Sequence, residues 1–159
     1  PEWNVLDIGC GGGANVKRLL KLCPQGKVYG MDLSEESVAF ARRHNAGELD
    51  RRCFIQQGDV CSLPYGDGAF DAVTAFETVY FWSSVSKALA EVFRVIRNGG
   101  CFLISLEASD PELGKAWTER IKGMTVYGAE ELKQLLSQAG FSDIRVIQKK
   151  EELHIVAHK

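Results

Sequence analysis

The 159-residue sequence predicts an α/β domain, a mostly parallel sheet with helices on both faces that is closed by an antiparallel pair of strands. Three observations carry this reading. Residues 5 to 13, Val-Leu-Asp-Ile-Gly-Cys-Gly-Gly-Gly, form an apolar strand that runs straight into a glycine-rich turn. Short apolar runs then alternate with segments of helical periodicity, the pattern of parallel strands joined by crossover helices. The last two runs, Ile144 to Gln148 and Leu153 to Ala157, flank only Lys149-Lys150-Glu151-Glu152. A parallel crossover needs a dozen or more residues, so this final pair must be antiparallel.

Glycine reaches backbone angles closed to other residues and lets a ligand approach the main chain, so the first turn reads as a nucleotide-handling loop. Behind it, Val16, Leu19, Leu20 and Cys23 recur at helical spacing, and Pro24 and Gly26 end that helix. Residues 27 to 34 form a second strand ending in Asp32. In a parallel unit this carboxylate stands at the carboxyl edge of the sheet beside the glycines, where it can accept from both hydroxyls of a ribose. The alternative use of Asp32 is to cap the following helix, a task for which Ser34 is equally suited.

Residues 52 to 59 form a third strand and Phe70 to Phe76 a fourth. Between 85 and 97, Val85, Leu89, Val92, Val95 and Ile96 share one helical face, and Asn98-Gly99-Gly100 is the expected stop before a fifth strand, Cys101 to Leu106. A helix over 129 to 139, with Leu132, Leu135, Leu136 and Ala139 as its apolar stripe, ends at Gly140. The stretch 107 to 127 has no clear period. Trp117 and Tyr127 lie there as either pocket-lining or cover residues.

Composition excludes several partners. The net charge is −2 and the basic pairs are scattered, so nucleic acid is not an expected ligand. No apolar run approaches the roughly 18 residues of a membrane span. Five cysteines, none in a Cys-x-x-Cys spacing, indicate neither a disulfide framework nor a metal site, and with no signal pattern the expected compartment is the cytoplasm. His44, His154 and His158 occupy surface or edge positions.

The chain resembles class I S-adenosylmethionine-dependent methyltransferases of the compact group with mostly small-molecule acceptors. The resemblance runs through Val5 to Gly13, Gly30-Met31-Asp32-Leu33-Ser34, Gly58-Asp59-Val60 with Leu63-Pro64-Tyr65, Phe70-Asp71, and the run from Leu89 to Gly100. It implies a Rossmann-like, doubly wound three-layer sandwich on a seven-stranded sheet, with one methyltransferase domain over 1–159. By the same resemblance Asp7, Gly9, Gly11 and Gly13 hold the methionine part of the cofactor, and Asp32 the ribose. Met31 and Leu33 contact the adenine faces. Asp59 accepts from the adenine amino group, the Val60 backbone reads the ring edge, and Phe76 lies closest to the cofactor. Asp71 is expected to be structural.

The implied chemistry is in-line transfer of a methyl group to a small-molecule acceptor, leaving S-adenosylhomocysteine. Glu77, just after the fourth strand, is the candidate base where the acceptor must lose a proton. Tyr80, Phe81 and Trp82 either line an acceptor pocket or pack the core. The motifs of adenine, glutamine and cytosine methylation are absent, and magnesium is not expected. Helices that close over the cofactor in the family have no counterpart before Val5: either the chain is a fragment of a longer protein, or a homo-oligomer or a partner supplies the lid. Two other readings stand beside this one. Gly9-x-Gly11-x-x-Ala14 formally fits a dinucleotide pattern, which would make the chain a nicotinamide-dependent oxidoreductase. A non-catalytic module that keeps the cofactor pocket is the other.

Overall fold

The computed structural model describes residues 2–159. Its seven strands are β1 (Asn4–Ile8), β2 (Lys27–Asp32), β3 (Cys53–Gln57), β4 (Phe70–Phe76), β5 (Ile96–Leu106), β6 (Ser142–Lys149) and β7 (Glu152–His158). The helices are α1 (Ala14–Leu22), α2 (Glu35–His44), α3 (Val85–Val95), α4 (Lys115–Arg120) and α5 (Ala129–Gln138). The strands lie in the order β3-β2-β1-β4-β5-β7-β6. The first five run parallel to one another, and β7 is antiparallel to both β5 and β6. This is the doubly wound sheet with a closing hairpin that the sequence predicts.

Alternation along the strands divides the core between the two faces. On one face Val16 and Leu20 of α1 and Val38 and Ala41 of α2 pack against Val28, Cys53 and Ile55. On the other, Leu89 and Val92 of α3 and Leu132 and Leu136 of α5 cover Leu6, Val73, Phe102 and Ile155. Central strands buried on both sides explain why their sequences are nearly continuous apolar runs. Asp71 is structural, as expected: its carboxylate accepts from the Asn4 backbone at 2.7 Å and from Arg97 Nε at 2.6 Å.

Two boundaries differ from the sequence reading. Helix α3 stops at Val95, and Ile96 is already extended with φ −77° and ψ 135°. The register of β4 against β5 slips between Phe70 and Ala72, so Asn98-Gly99-Gly100 is an irregular stretch inside the strand rather than the helix stop. Gly99, at φ 75°, makes that irregularity possible. Within the region from 107 to 127 only the six-residue α4 is helical. Among the described residues no helix is long and apolar enough to cross a membrane.

Candidate functional site

The sheet order reverses between β1 and β4, and the loops leaving those strands part at the carboxyl edge to open a crevice. Backbone hydrogen bonds hold the strand ends in line. The N–H groups of Gly9 and Cys10 both donate to the Met31 carbonyl, at 2.7 and 3.0 Å. Gly58 donates to the Asp32 carbonyl at 3.0 Å, and Glu77 to that of Ser105 at 2.9 Å. The four segments after β1, β2, β3 and β4 therefore meet around one cavity of about 570 Å³, a volume typical of small-molecule and cofactor sites.

Seven of the eleven residues that the sequence assigns to the cofactor or as base line this cavity: Gly9, Met31, Asp32, Leu33, Asp59, Val60 and Glu77. Asp7, Gly11, Gly13 and Phe76 stand outside the lining. The remaining lining includes Thr78, Phe81, Trp82 and Ser83, which the short helical turn Val79–Phe81 brings back over the site. Thr78 and Ser83 carry no motif in the sequence. Phe76 is half-buried and shares its strand face with Thr74, pairing with Ser105, so Glu77 and Thr78 take the place beside the crevice.

The glycines divide their tasks. A Cβ on Gly9, at φ 68°, would run into the Thr78 side chain, so only glycine lets the first loop touch the loop after β4. At Gly11, φ 50°, a Cβ would meet nothing within 4 Å, because that residue borders open space. Gly13, φ 80°, packs against α2, where a Cβ would come within 2.6 Å of Asn45 Nδ2 and 2.9 Å of Ala41 Cβ.

Three carboxylates, on β1, at the end of β2 and after β3, differ in their hydrogen bonding. Asp32 Oδ2 accepts the Gly11 N–H at 2.9 Å and Oδ1 the Ser34 N–H at 2.9 Å, which leaves a second lone pair on each oxygen. Ser34 itself caps α2, its Oγ accepting from the Ser37 N–H at 3.2 Å. Asp59 forms a short turn, Oδ1 accepting the Cys61 N–H at 2.9 Å. Asp7 is 1% exposed; Oδ1 accepts from Thr74 Oγ1 at 2.7 Å, while Oδ2 has no partner. Burial pushes the Asp7 carboxyl up to about 7; the Thr74 hydrogen bond opposes this and the Asp32 charge adds to it. Burial also pushes the neighbouring Cys10 thiol up to about 12, so it stays protonated.

Glu77 adopts φ 56°, uncommon for a residue with a side chain. Its Oε2 accepts from the Tyr80 hydroxyl at 3.0 Å, and the Tyr80 oxygen accepts the Ala108 N–H at 2.9 Å. Tyr80 is 3% exposed, so the phenol is a fixed donor. Partial burial raises the Glu77 carboxyl above its ordinary range, against the effect of the Tyr80 hydrogen bond.

This acceptor set fits an S-adenosyl cofactor. Such a molecule presents an ammonium group, two ribose hydroxyls and an adenine amino group, all hydrogen-bond donors. The chain offers acceptors in the unpartnered Asp7 Oδ2, the free lone pairs of Asp32, and Asp59, with open space at Gly11. Fold and site together define a nucleotide-cofactor domain of the doubly wound α/β class. Residues 6–104 match the methyltransferase domain family, and the chain belongs to it as a class I S-adenosylmethionine-dependent methyltransferase.

The demethylmenaquinone methyltransferase of Symbiobacterium thermophilum is 35% identical over 113 residues, covering 70% of this chain and 45% of that protein. The fatty-acid O-methyltransferase of Mycolicibacterium smegmatis is 38% identical over 100 residues, covering 62% of this chain and 35% of that protein. The chain thus spans under half the length of both relatives. Phosphoethanolamine N-methyltransferase 2 of Haemonchus contortus, solved with S-adenosyl-L-methionine, superposes with a TM-score of 0.85 at 18% identity, covering 98% of this chain and 48% of that one.

Proposed function

We propose that the chain transfers the methyl group of S-adenosylmethionine to a small-molecule acceptor in the cavity at the carboxyl edge of the sheet. The observation that carries this is the convergence of Gly9, Asp32, Asp59 and Glu77 on one cavity from the ends of four adjacent strands. Asp32 would hold the ribose, Asp59 and Val60 the adenine edge, Met31 and Leu33 its faces, and Asp7 with the glycine loop the methionine end. When bound, the cofactor supplies an electrophilic sulfonium methyl. The protein's part is to hold the acceptor in line with that methyl and to exclude water, effects worth roughly 7 to 11 kcal/mol in well-oriented systems.

Glu77 would accept a proton from the acceptor, and Tyr80, bonded to its Oε2, would hold its carboxylate in position. Phe81, 50% exposed at the rim, is a surface that a second copy or a partner protein would cover as a lid. A cytoplasmic setting belongs to the same reading, supported by five cysteines that are all free. Two relatives are named for demethylmenaquinone and for a fatty acid, which supports a small acceptor.

A screen of small alcohols, carboxylates, amines and phenols with S-adenosylmethionine, read by release of S-adenosylhomocysteine, tests the proposal. At least one acceptor should stimulate release, and Asp32→Ala should abolish the stimulation. Release that no acceptor stimulates counts against transfer to small molecules.

A further inference from the structure

The cavity lining has a one-sided charge. It contains Asp32, Asp59 and Glu77 and, among the described residues, no lysine, arginine or histidine. Two of these carboxylates stand at the ends of β2 and β3, on the side assigned to the ribose and adenine. Glu77 stands apart from them at the end of β4, in the same stretch as Phe81 and Trp82. Trp82 stacks on the buried Phe102, with centroids 6.5 Å apart and planes at 14°, and Phe81 meets Tyr80 edge-on at 5.9 Å. Both rings are therefore braced from behind while still lining the cavity.

We propose that the acceptor is an amine carried on an aromatic or apolar body, its nitrogen bound by Glu77 and its body by Phe81 and Trp82. This rests on the methyl-transfer reading above. A carboxylate or phosphate acceptor would meet the like charge of Glu77, with no lysine, arginine or histidine side chain in the lining to offset it. A neutral alcohol could donate one hydrogen bond but would leave the Glu77 charge uncompensated. An ammonium group meets both needs, because it donates to a carboxylate and is attracted to the faces of aromatic rings.

The hydrogen bonding of Glu77 agrees with this assignment. Tyr80 donates to Oε2 and so fixes the orientation of the carboxylate. The reaction balances as follows: the ammonium gives one proton to Glu77, the freed nitrogen lone pair forms the new N–C bond, and the C–S bonding pair stays on sulfur. The product is an N-methyl ammonium ion and a neutral thioether, and the proton on Glu77 passes to water.

The test is calorimetric and needs no turnover. With the chain saturated by S-adenosylhomocysteine, 2-phenylethylamine, 2-phenylethanol and phenylacetate are titrated as matched cation, neutral and anion. The amine should bind at least about tenfold more tightly than the alcohol, as expected for a charge-assisted bond, with the anion weakest. Glu77→Gln should reduce the amine to the affinity of the alcohol. The comparison of the three ligands on the unaltered chain stands even if that variant folds poorly. A preference for alcohol or anion, or amine binding unchanged in a folded Glu77→Gln variant, overturns the amine assignment alone. A chain that does not take up S-adenosylhomocysteine overturns the methyl-transfer reading and this one with it.

Discussion

The Asp32 carboxylate joins two segments that are distant in sequence: its Oδ2 accepts the Gly11 N–H at 2.9 Å while its Oδ1 accepts that of Ser34 at 2.9 Å. The residue assigned to the ribose thus also fixes the glycine loop against the start of α2. Asp32→Ala removes both functions. Affinity for S-adenosylhomocysteine should fall by about 1.5 to 3 kcal/mol, the usual worth of hydrogen bonds to a charged group. Calorimetry on the variant checks this, and an unchanged affinity would remove Asp32 from the site.

Gly11 and Gly13 both have positive φ but face different surroundings, so alanine should separate their roles. Gly13→Ala drives a methyl group into Ala41 and Asn45 and should cost about 1 to 3 kcal/mol of stability. Gly11→Ala meets no neighbour and should cost only the strain of a left-handed residue, about 1 kcal/mol, while obstructing the cofactor. Urea unfolding of both variants, paired with S-adenosylhomocysteine titration, distinguishes them. Equal losses of stability would contradict the packing role of Gly13.

Asp7 makes the ligand-free chain sensitive to pH near neutrality. Its folded carboxyl is pushed up to about 7 from an ordinary value of 3.8, so between these pH values the folded state binds more protons than the unfolded. Stability is therefore highest at and below the ordinary value and declines as pH rises toward about 7. Asp7→Asn removes the buried charge at nearly constant shape. Its melting temperature should gain on the unaltered chain between pH 5 and pH 8; a constant difference would show that Asp7 does not titrate there.

Glu91 and Arg94 of α3 anchor the loop that carries Asp59 and Val60. Glu91 Oε2 accepts the Leu63 N–H at 2.8 Å, and Arg94 donates to the carbonyls of Tyr65 at 2.7 Å and Leu63 at 3.0 Å. Arg94 holds the Glu91 carboxyl below its usual range, so this contribution is present above the ordinary carboxylate value and is lost as pH falls through the depressed one. Arg94→Met should cost about 2 to 3 kcal/mol in urea unfolding. It should also weaken S-adenosylhomocysteine, although Arg94 does not line the cavity. Loss of stability with full affinity would show that the loop keeps its shape unaided.

Most of the fold was legible because most strands are compact apolar runs and α1, α3 and α5 each carry an apolar stripe; α4, with no buried residue, left no such pattern. The start of β5 was not legible. Asn98-Gly99-Gly100 has the composition of a helix terminus, and only the β4 pairs on either side, at Ile96 and Cys101, and the hydrogen bonds of Gly99 and Gly100 with Lys159 make the stretch part of a strand. At the site, Asp32 was legible because its place follows from a parallel unit and a glycine turn. The Asp7–Thr74 bond joins residues 67 positions apart, and the inclusion of Thr78 depends on the close approach of Gly9. Neither leaves a periodic or compositional trace. Phe76 illustrates the limit of counting from a strand end, since the turn after it brings Glu77 and Thr78 into the lining and leaves Phe76 out.

The most direct test of the central claim is calorimetric titration of the unaltered chain with S-adenosylhomocysteine, with NADH as the parallel ligand. One equivalent of S-adenosylhomocysteine should bind in the micromolar range, about −8 kcal/mol, and NADH should give no heat. Binding of NADH with no response to S-adenosylhomocysteine would contradict the assignment of the glycine loop, Asp32 and Asp59 to an S-adenosyl cofactor.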